Sequence, residues 1–508
     1  MNLRPTFLGF ETARKAIMAS QKSLDIVGHN LGNVKTEGYT RQRVDLVSIA
    51  TPSGGLRYSA ARTALAGQGV HTPGVAQIRD PFLDRRYREL NSSTEEHRTT
   101  SNILVDIENV IGSFEDKGLH DVLLDFEDKL KTFATDAPDR VEIANITLTS
   151  ARNVAQMLID YDKKLTQIYD QSVFELEAAV GDVNAIIDKL GSINQQIVNE
   201  YISTGETSLG NAVNPSYGPN ELLDERNLLL DKLSSYGDIK VYNNDDGSIK
   251  VEMADVTVVD GKKTTNLSLK NEQSTGAVIL SFTDGSPAIF GAGAIKGYVE
   301  MINGNGPYAM NSQSGEYGVP YYKSVIDEFA ASFSEAFNRA NGAVDASGNV
   351  DFTSSRAMFV SADGGPITAS NIRVSSAWSN DPLMIARDPI TDEGSLDPAQ
   401  LLRLRQVFEE KLDFGVKGDF NGTLEEYISF YTNRLGQQTS FVIGQFEASG
   451  TMTNSILTSR DAVSAVSLEE EGINMLNFQK WFNASSRLMT TLDEALDTII
   501  NSMGLVGR

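Results

Sequence analysis

The feature that most constrains the fold is a pair of narrow apolar stripes, one near each end of the 508-residue chain. In both stripes the side chains recur at alternating spacings of three and four residues, which places them along one line of an α-helix. Ser20 and Ser485 fill the remaining positions of the two repeats. The N-terminal stripe comprises Phe10, Ala13, Ile17, Leu24, Val27 and Leu31, and the C-terminal stripe comprises Phe478, Trp481, Leu488, Leu492, Ala495 and Ile499.

The two ends of the chain also carry opposite charge. The first 50 residues have seven basic and four acidic side chains, whereas the last 48 have three basic and seven acidic side chains. An amphipathic helix commonly packs on the globular core of its own chain. Narrow repeats of opposite charge instead favour pairing of the two terminal helices with each other.

Composition limits the classes of function. The chain has 44 basic and 68 acidic side chains and a net charge of −24, so it offers no general attraction for nucleic acid or anionic lipid. It has no cysteine, its four histidines are scattered, and no nucleophile, phosphate or zinc motif is found. We therefore expect no catalytic site, no metal, no cofactor and no membrane insertion. Without an apolar signal sequence, the composition alone predicts a cytoplasmic protein.

A turn follows the N-terminal stripe, in the segment HNLGNVKTEGYTRQ (29–42). Asparagine and glycine tolerate the positive φ angles at which helices end and tight turns form. The sequence therefore predicts that the first helix stops here and that the chain changes direction. The residues that we assign to this motif are Asn30, Asn33, Thr36, Gly38 and Tyr39.

Further along the chain the hydrophobic period alternates between helical and strand-like, which predicts an α+β fold. We expect a discontinuous terminal helical domain that forms a coiled coil, a discontinuous helical bundle, and an inserted β-rich outer domain. The terminal domain comprises 1–50 and 465–508, the helical domain 75–237, 301–341 and 401–464, and the β-rich domain 238–300 and 342–400.

Local signals support particular boundaries. Thr423 and Glu426 form a predicted capping box before a long helix, and Ser467 and Glu470 form a second one. The segment YNNDDGSIKVEM (242–253) has the acidic residues of a calcium loop, but tyrosine and methionine occupy its first and last ligand positions. It is better interpreted as a β-hairpin turn.

The two ends together resemble a known family. SLDIVGHNLGNVKTEGYTRQ (23–42) resembles the N-terminal signature of the flagellar rod, hook and hook-associated proteins, and LEEEGINMLNFQKWFNASSRLMTTLDEALDTIINS (468–502) resembles their C-terminal helix. Segments 220–241, 293–303 and 332–348 are similar to the hook-associated protein 1 (FlgK) branch, whereas 345–420 matches weakly. His29, Gly32 and Glu37 stand where the family usually has Asn, Ala and Pro.

The resemblance implies a structural role and reverses the cytoplasmic prediction. Family members leave the cell through the type III export channel of the flagellum, without a cleaved signal, and assemble outside it. The implied function is a ring of copies joining the hook to the filament. The implied partners are further copies of the chain, the hook protein, the second hook-associated junction protein and an export chaperone of the FlgN type, which would cover the C-terminal stripe. A secreted flagellum-associated adhesin acting through the β-rich domain, or another axial protein such as the hook protein, is the alternative.

Overall fold

The computed structural model describes residues 8–49, 69–111, 118–136, 139–203, 217–272, 276–310, 313–389, 396–414 and 420–502. Helices dominate these segments, and the longest, with 63 residues, spans about 95 Å at 1.5 Å per residue. The helices are α1 (Leu8–Gly32), α2 (Pro81–Ile111), α3 (Leu119–Asp136), α4 (Val141–Ser203), α5 (Asn220–Tyr236), α6 (Ala294–Asn303), α7 (Val319–Ala340), α8 (Ser376–Asn380), α9 (Pro398–Gln406), α10 (Leu424–Ser464) and α11 (Leu468–Asp497).

The strands are short and all pair antiparallel within the described segments. One four-stranded sheet has the order β5-β6-β7-β8, and the other sheets are the two-stranded pairs β1-β4, β2-β3, β9-β10, β11-β12 and β13-β14. Their bounds are β1 (Gln42–Val44), β2 (Val47–Ser48), β3 (Val70–His71), β4 (Val75–Gln77), β5 (Ile239–Asn243), β6 (Ile249–Met253), β7 (Val256–Asp260), β8 (Lys263–Thr264), β9 (Leu267–Asn271), β10 (Val278–Phe282), β11 (Phe359–Ser361), β12 (Ile372–Val374), β13 (Leu412–Phe414) and β14 (Phe420–Gly422). The α+β fold class is confirmed.

Two local predictions are confirmed. The segment with the acidic residues of a calcium loop is the β5-β6 hairpin, with Gly247 at a φ of 85° in its turn. Thr423 and Glu426 form the complete capping box at the start of α10. At the start of α11, Ser467 accepts a hydrogen bond from the backbone N–H of Glu470. The Glu470 carboxylate, however, binds a residue from the other end of the chain.

The hydrophobic side chains form two cores, and α4 passes through both. The first half of α4 packs with α2, α3, α7 and α10 in one core. Helices α7 and α10 contribute aromatic side chains to it. The second half of α4 packs with α5, α6 and strands β6, β7, β9 and β10 in the other. Because one continuous helix contributes to both cores, the two are held in a fixed order along its axis.

This packing differs from the predicted grouping of the strands. The sequence places 238–300 and 342–400 in one β-rich domain, but the structure packs them in different cores. In the first segment, Val251 and Met253 are fully buried against the second half of α4. In the second, Phe359 and Ile372 are fully buried with the first half of α4 and with α7. The physical reason is the length of α4, since each strand group covers the part of that helix nearest to it.

Candidate functional site

The helices from the two ends of the chain pack against each other as an antiparallel pair. Near the start of α1, a β-carbon added to Gly9 would lie 3.2 Å from Cδ1 of Leu492, late in α11. At the opposite end of the pair, the amide of Asn30 lies 3.2 Å from the carboxylate of Glu471, at the start of α11. The contacts at both ends show that α1 and α11 run in opposite directions. Because glycine has no side chain, position 9 allows α1 to approach Leu492 of α11 closely.

The pairing covers the two predicted stripes unequally. On α1, Ala13 and Val27 are buried and the other stripe residues are partly buried, namely Phe10, Ile17, Leu24 and Leu31. On α11, Phe478 and Leu492 are partly buried, whereas Trp481, Leu488 and Ala495 are exposed. Ile499 lies in a π-helical turn (Thr498–Ser502), and its side chain is outside the described set. The C-terminal stripe therefore keeps an uncovered apolar face on the pair.

A shallow apolar groove runs along this pair. It encloses about 360 Å³ and is lined mostly by small side chains of α1 and α11. Trp481 and Leu46 stand at its sides and are both about half exposed. The small residues that line the groove are Ala16, Ala19, Ser20, Ser23, Ala484 and Ser485.

The predicted turn ends in a cluster centred on the buried amide of Asn30. Its Oδ1 accepts hydrogen bonds from the Tyr39 hydroxyl at 2.8 Å and the Gln42 backbone N–H at 3.0 Å. Its Nδ2 donates to the Gln42 carbonyl at 2.9 Å and to Glu471 at 3.2 Å. These bonds use the full hydrogen-bonding capacity of the amide, so Asn30 fixes the turn to both α1 and α11.

The remaining motif residues shape the turn itself. The side chain of Asn33 donates to the carbonyl of His29 at 3.0 Å, and Thr36 donates its hydroxyl proton to Asn33 at 3.1 Å. Gly38 has a φ of 78°, and a β-carbon there would meet Leu228 at 3.2 Å. Positive φ and close approach both require glycine at this position.

His29, which departs from the usual family pattern, takes part in the cluster. Its Nδ1 lies 3.0 Å from the Tyr39 hydroxyl. Because Tyr39 donates its own proton to Asn30, its oxygen is free to accept from the imidazole. Burial, followed by the carboxylates of Asp224 and Glu221, raises the pKa of Tyr39 and keeps the phenol protonated as a donor.

Arg41 joins the turn to the C-terminal helix by charge. Its Nε donates to Glu471 at 2.8 Å and its Nη1 donates to Glu470 at 2.7 Å. Its backbone N–H also donates to the carbonyl of Ser464, the last residue of α10, at 2.9 Å. The side chain of Glu471 is only 2% exposed. We call the cluster of Asn30, Tyr39, Arg41, Glu470 and Glu471 the terminal joint.

A second carboxylate connects the joint to α5. Asp224 accepts from the backbone N–H of Thr40 at 3.2 Å and from Gln77 at 2.9 Å. Arg79 lies 3.9 Å from Asp224 and forms a shorter ion pair, at 2.8 Å, with Asp84 at the start of α2. Burial raises the pKa of Asp224 to about 6, although hydrogen bonds from Thr40 act in the opposite direction.

The last turn of α10 is fixed to the same region. Arg460 forms an ion pair with Asp231 of α5 at 2.6 Å, and its guanidinium lies 4.2 Å from the Tyr87 ring centre. Asp231 also pairs with Arg88 of α2 at 2.7 Å. Helices α2, α5 and α10 are therefore linked to one another by ion pairs next to the terminal joint.

Sequence reasoning identified the turn but missed its partners. Glu471, Asp224 and Arg79 were not assigned to any site, because each contacts the motif only after the chain has folded back over tens to hundreds of residues. The opposite charge of the two ends was the available signal. Three consecutive acids, at 469–471, follow the Ser467 cap, and two of them, Glu470 and Glu471, form ion pairs with Arg41.

Within the described segments there is no group of three histidine, cysteine or carboxylate side chains that could hold a metal ion. None of the described helices is both long and apolar enough to cross a membrane. The features described above are apolar helix faces, together with ion pairs and hydrogen bonds that hold helices to one another.

The fold and the joint define a mainly helical protein in which the two terminal helices form one paired unit. A family profile described as the helical domain of the flagellar hook-associated protein FlgK matches residues 104–352. Flagellar hook-associated protein 1 of Bacillus subtilis (strain 168) is 30% identical, with 99% of each chain aligned. The chain belongs to the flagellar hook-associated protein 1 family.

More distant matches are also hook-associated proteins. Flagellar hook-associated protein 1 of Salmonella typhimurium is 23% identical over 66% of this chain and 57% of that protein. The solved structure of the flagellar hook junction protein FlgK from Burkholderia pseudomallei has the same fold, with a TM-score of 0.57 at 12% identity. It aligns with 75% of this chain and over its own full length.

The first prediction concerns the buried carboxylate of the joint. In Glu471→Gln the side chain keeps its shape but loses its charge, so its bonds to Arg41 and Asn30 weaken. We expect the free energy of unfolding to fall by about 2 kcal/mol, the range for hydrogen bonds to charged groups. Urea unfolding followed by circular dichroism measures this.

Glu469→Gln is the matched control, because Glu469 is exposed in the same helical turn. It should change the free energy of unfolding by no more than about 0.5 kcal/mol, as surface substitutions usually do. Equal changes in the free energy of unfolding would show that the stabilisation comes from negative charge at the helix N-terminus and not from the terminal joint.

The second prediction concerns Asp224. Its pKa is raised to about 6 in the folded chain, so the folded state holds the proton more tightly than the unfolded state. The resulting stabilisation is present at low pH and is lost as pH rises through 6. Between pH 5 and pH 7.5 the wild type should lose roughly 1.4 kcal/mol relative to Asp224→Asn. Urea unfolding of both proteins at the two pH values tests this, and a pH-independent difference would contradict it.

Proposed function

We propose that this chain is a structural subunit at the hook–filament junction of a bacterial flagellum, where copies form a ring. The observation that carries the proposal is the uncovered apolar face of α11. On the α1-α11 pair, Trp481 remains 53% exposed and Leu488 46%. Large exposed apolar patches on soluble proteins usually mark interaction surfaces. In the ring, this face of one copy packs against the terminal pair of the next.

The joint gives the ring its geometry. A ring of identical copies closes only if each copy presents its interface at the same angle. Arg41 and Asn30 fix the start of α11 relative to the turn, and Arg460 fixes the end of α10 to the body. In our proposal the terminal pairs form the inner tube, and the two cores lie outside it.

The proposed partners follow from position. Besides further copies, the ring contacts the hook protein on one side and the second hook-associated junction protein on the other. The family match along nearly the whole chain favours this role over a secreted adhesin or the hook protein itself. The role is structural and requires no chemistry, so we propose no catalytic activity. Family membership implies a flagellar location, and the extracellular side is the part that we propose.

Export precedes assembly in this proposal. The chain has no cysteine, so no disulfide hinders its passage in an unfolded state through the flagellar channel. Before export, the stripe of α11 would be exposed in the cytoplasm and prone to premature association. A chaperone of the FlgN type binds this stripe in a helix-in-groove mode and competes with the ring for the same residues.

The third prediction tests the ring surface. Leu488→Asp places a charge on the exposed part of the stripe, which costs little in the isolated subunit. In the ring the charge would be buried, at a cost of about 2 kcal/mol or more. We expect normal circular dichroism, and loss of filaments and swimming even though the protein reaches the medium. Electron microscopy of cells and immunoblotting of the medium measure these outcomes.

Thr490→Asp is the control, because Thr490 is exposed and lies two residues away, on another face of the helix. It should leave swimming intact. Normal filaments in the Leu488→Asp strain, with the protein exported, would remove this face from the interface.

The fourth prediction concerns the chaperone. Calorimetric titration of the full chain with its cognate chaperone should show binding that Trp481→Ala combined with Leu488→Ala weakens about tenfold or more, as expected for removal of anchor side chains. A double variant at exposed positions outside the stripe, Phe174→Ala with Ile289→Ala, serves as the control. Unchanged binding by the stripe variant would place the chaperone elsewhere.

A further inference from the structure

A groove beside the terminal joint concentrates positive charge in this acidic protein. It encloses about 460 Å³ between the start of α2, helix α5 and strand β5. Three arginines, at 85, 88 and 226, line it together with Lys240 and the half-exposed ring of Tyr242. Arg79, Asp84 and Glu89 complete its charged lining. We call this surface the basic groove.

The lining has five basic and two acidic side chains, whereas the whole chain has a net charge of −24. Most of the basic residues have a carboxylate partner. Arg88 pairs with Asp231 at 2.7 Å, and Lys240 pairs with Asp255 at 2.7 Å. Within the described part of the chain, Arg85 and Arg226 form no ion pair. The positive charge of the groove is therefore not fully neutralised by its own chain.

Arg226 is the stronger indication of a missing partner. Its Nη1 donates to the carbonyl of Gly247 at 3.0 Å. Its Nε is buried and has no acceptor among the described residues. A buried donor without an acceptor loses its hydration without compensation, which is unfavourable. Burial also lowers the pKa of the Arg226 guanidinium to about 10, and the charges of Arg88 and Arg79 act in the same direction.

Arg85 stands exposed on the α2 side of the groove and supplies a second, adaptable donor set. Guanidinium groups bind carboxylates in bidentate geometry, with bonds that are stronger than those between neutral groups. A carboxylate entering the groove would pair with the exposed guanidinium of Arg85 and neutralise part of the excess positive charge that Arg226 adds. The groove is larger than one carboxylate, and Tyr242 offers apolar contact for the backbone or stem of an incoming segment.

We propose that the basic groove receives an acidic side chain from a second copy of this chain in the assembled ring. This inference rests on the proposed function, because it requires neighbouring copies. Copies with a net charge of −24 repel one another over most of their surface, so a basic groove is the place where an acidic neighbour is attracted. The groove lies beside the joint, and contact here would set the lateral spacing of the bodies while the terminal pairs form the tube.

A zero-length carbodiimide, which couples an amine directly to a carboxylate in contact with it, tests the contact. Arg85→Lys places such an amine at the groove and keeps the charge. Arg86→Lys is the matched control, because Arg86 is also exposed on α2 but lies outside the groove lining and pairs with Glu89. Full-length variants are expressed in cells, and hook–filament complexes are isolated and treated.

We expect a crosslinked dimer of the chain with Arg85→Lys and none above background with Arg86→Lys. Mass spectrometry then identifies the coupled acid. Coupling to a different flagellar protein, coupling only to Glu89 of the same chain, or no coupling would overturn the assignment of a second copy. If the wild-type chain is absent from the isolated complexes, the proposed function fails and the inference fails with it.

Charge reversal supplies a second measurement. Arg85→Glu should reduce incorporation into the complexes by roughly fivefold, the upper range for one exposed ion pair, whereas Arg86→Glu should not. Circular dichroism of both exported variants checks that they remain folded. Equal incorporation of the two variants would contradict the proposed contact.

Discussion

The structure depends on one buried carboxylate. Glu471 is almost fully removed from solvent at the start of the last helix, and its charge is balanced by Arg41 and by the amide of Asn30, more than 400 residues earlier in the chain. A buried charge without such partners would cost several kcal/mol. The two ends of the chain therefore meet in one specific register, with α1 and α11 antiparallel and their start and end points fixed.

Polar contacts fix this register of α1 and α11 relative to helix α5. Thr40, next to Arg41, is bound by Asp224 of α5, and Arg460 at the end of α10 is bound by Asp231 of the same helix. Helices α2 and α10 pack along each other, with a buried hydrogen bond of 2.9 Å between Thr94 and Thr453. The orientation of the terminal pair is thus set by α2, α5 and α10, which in turn pack beside the two cores along α4. Such a connection suits a subunit whose neighbours must all be held at one angle.

Much of the fold could be predicted from the sequence, because it depends on local signals. The 3,4 spacing identified α1 and α11, the Asn-Asp-Asp-Gly turn identified the β5-β6 hairpin, and Thr423 with Glu426 identified the start of α10. The grouping of the strands could not be read in this way. Period-two patterns show that a segment is a strand but not which half of a 63-residue helix it covers.

The candidate site could be predicted from the sequence only in part. Gly38 was identified as the turn glycine because positive φ is a local requirement, and the structure shows it. The roles of Glu470 and Glu471 were not identified, since an acid after a helix cap is explained locally by capping and by the helix dipole. In the structure Ser467 caps α11, while Glu470 binds Arg41 instead of closing the capping box. Only the three-dimensional contact distinguishes the two explanations.

The terminal joint is already formed in the single subunit. Hydrogen exchange measured on the dilute, full-length monomer tests it most directly, at three backbone amides. These donate to Asp224 from Thr40, to Ser464 from Arg41 and to Asn30 from Gln42. We expect these amides to exchange slowly, on the scale of the buried helices, while amides near the end of α11 exchange faster. Exchange of all three at the rate of an unstructured peptide would contradict a preformed joint.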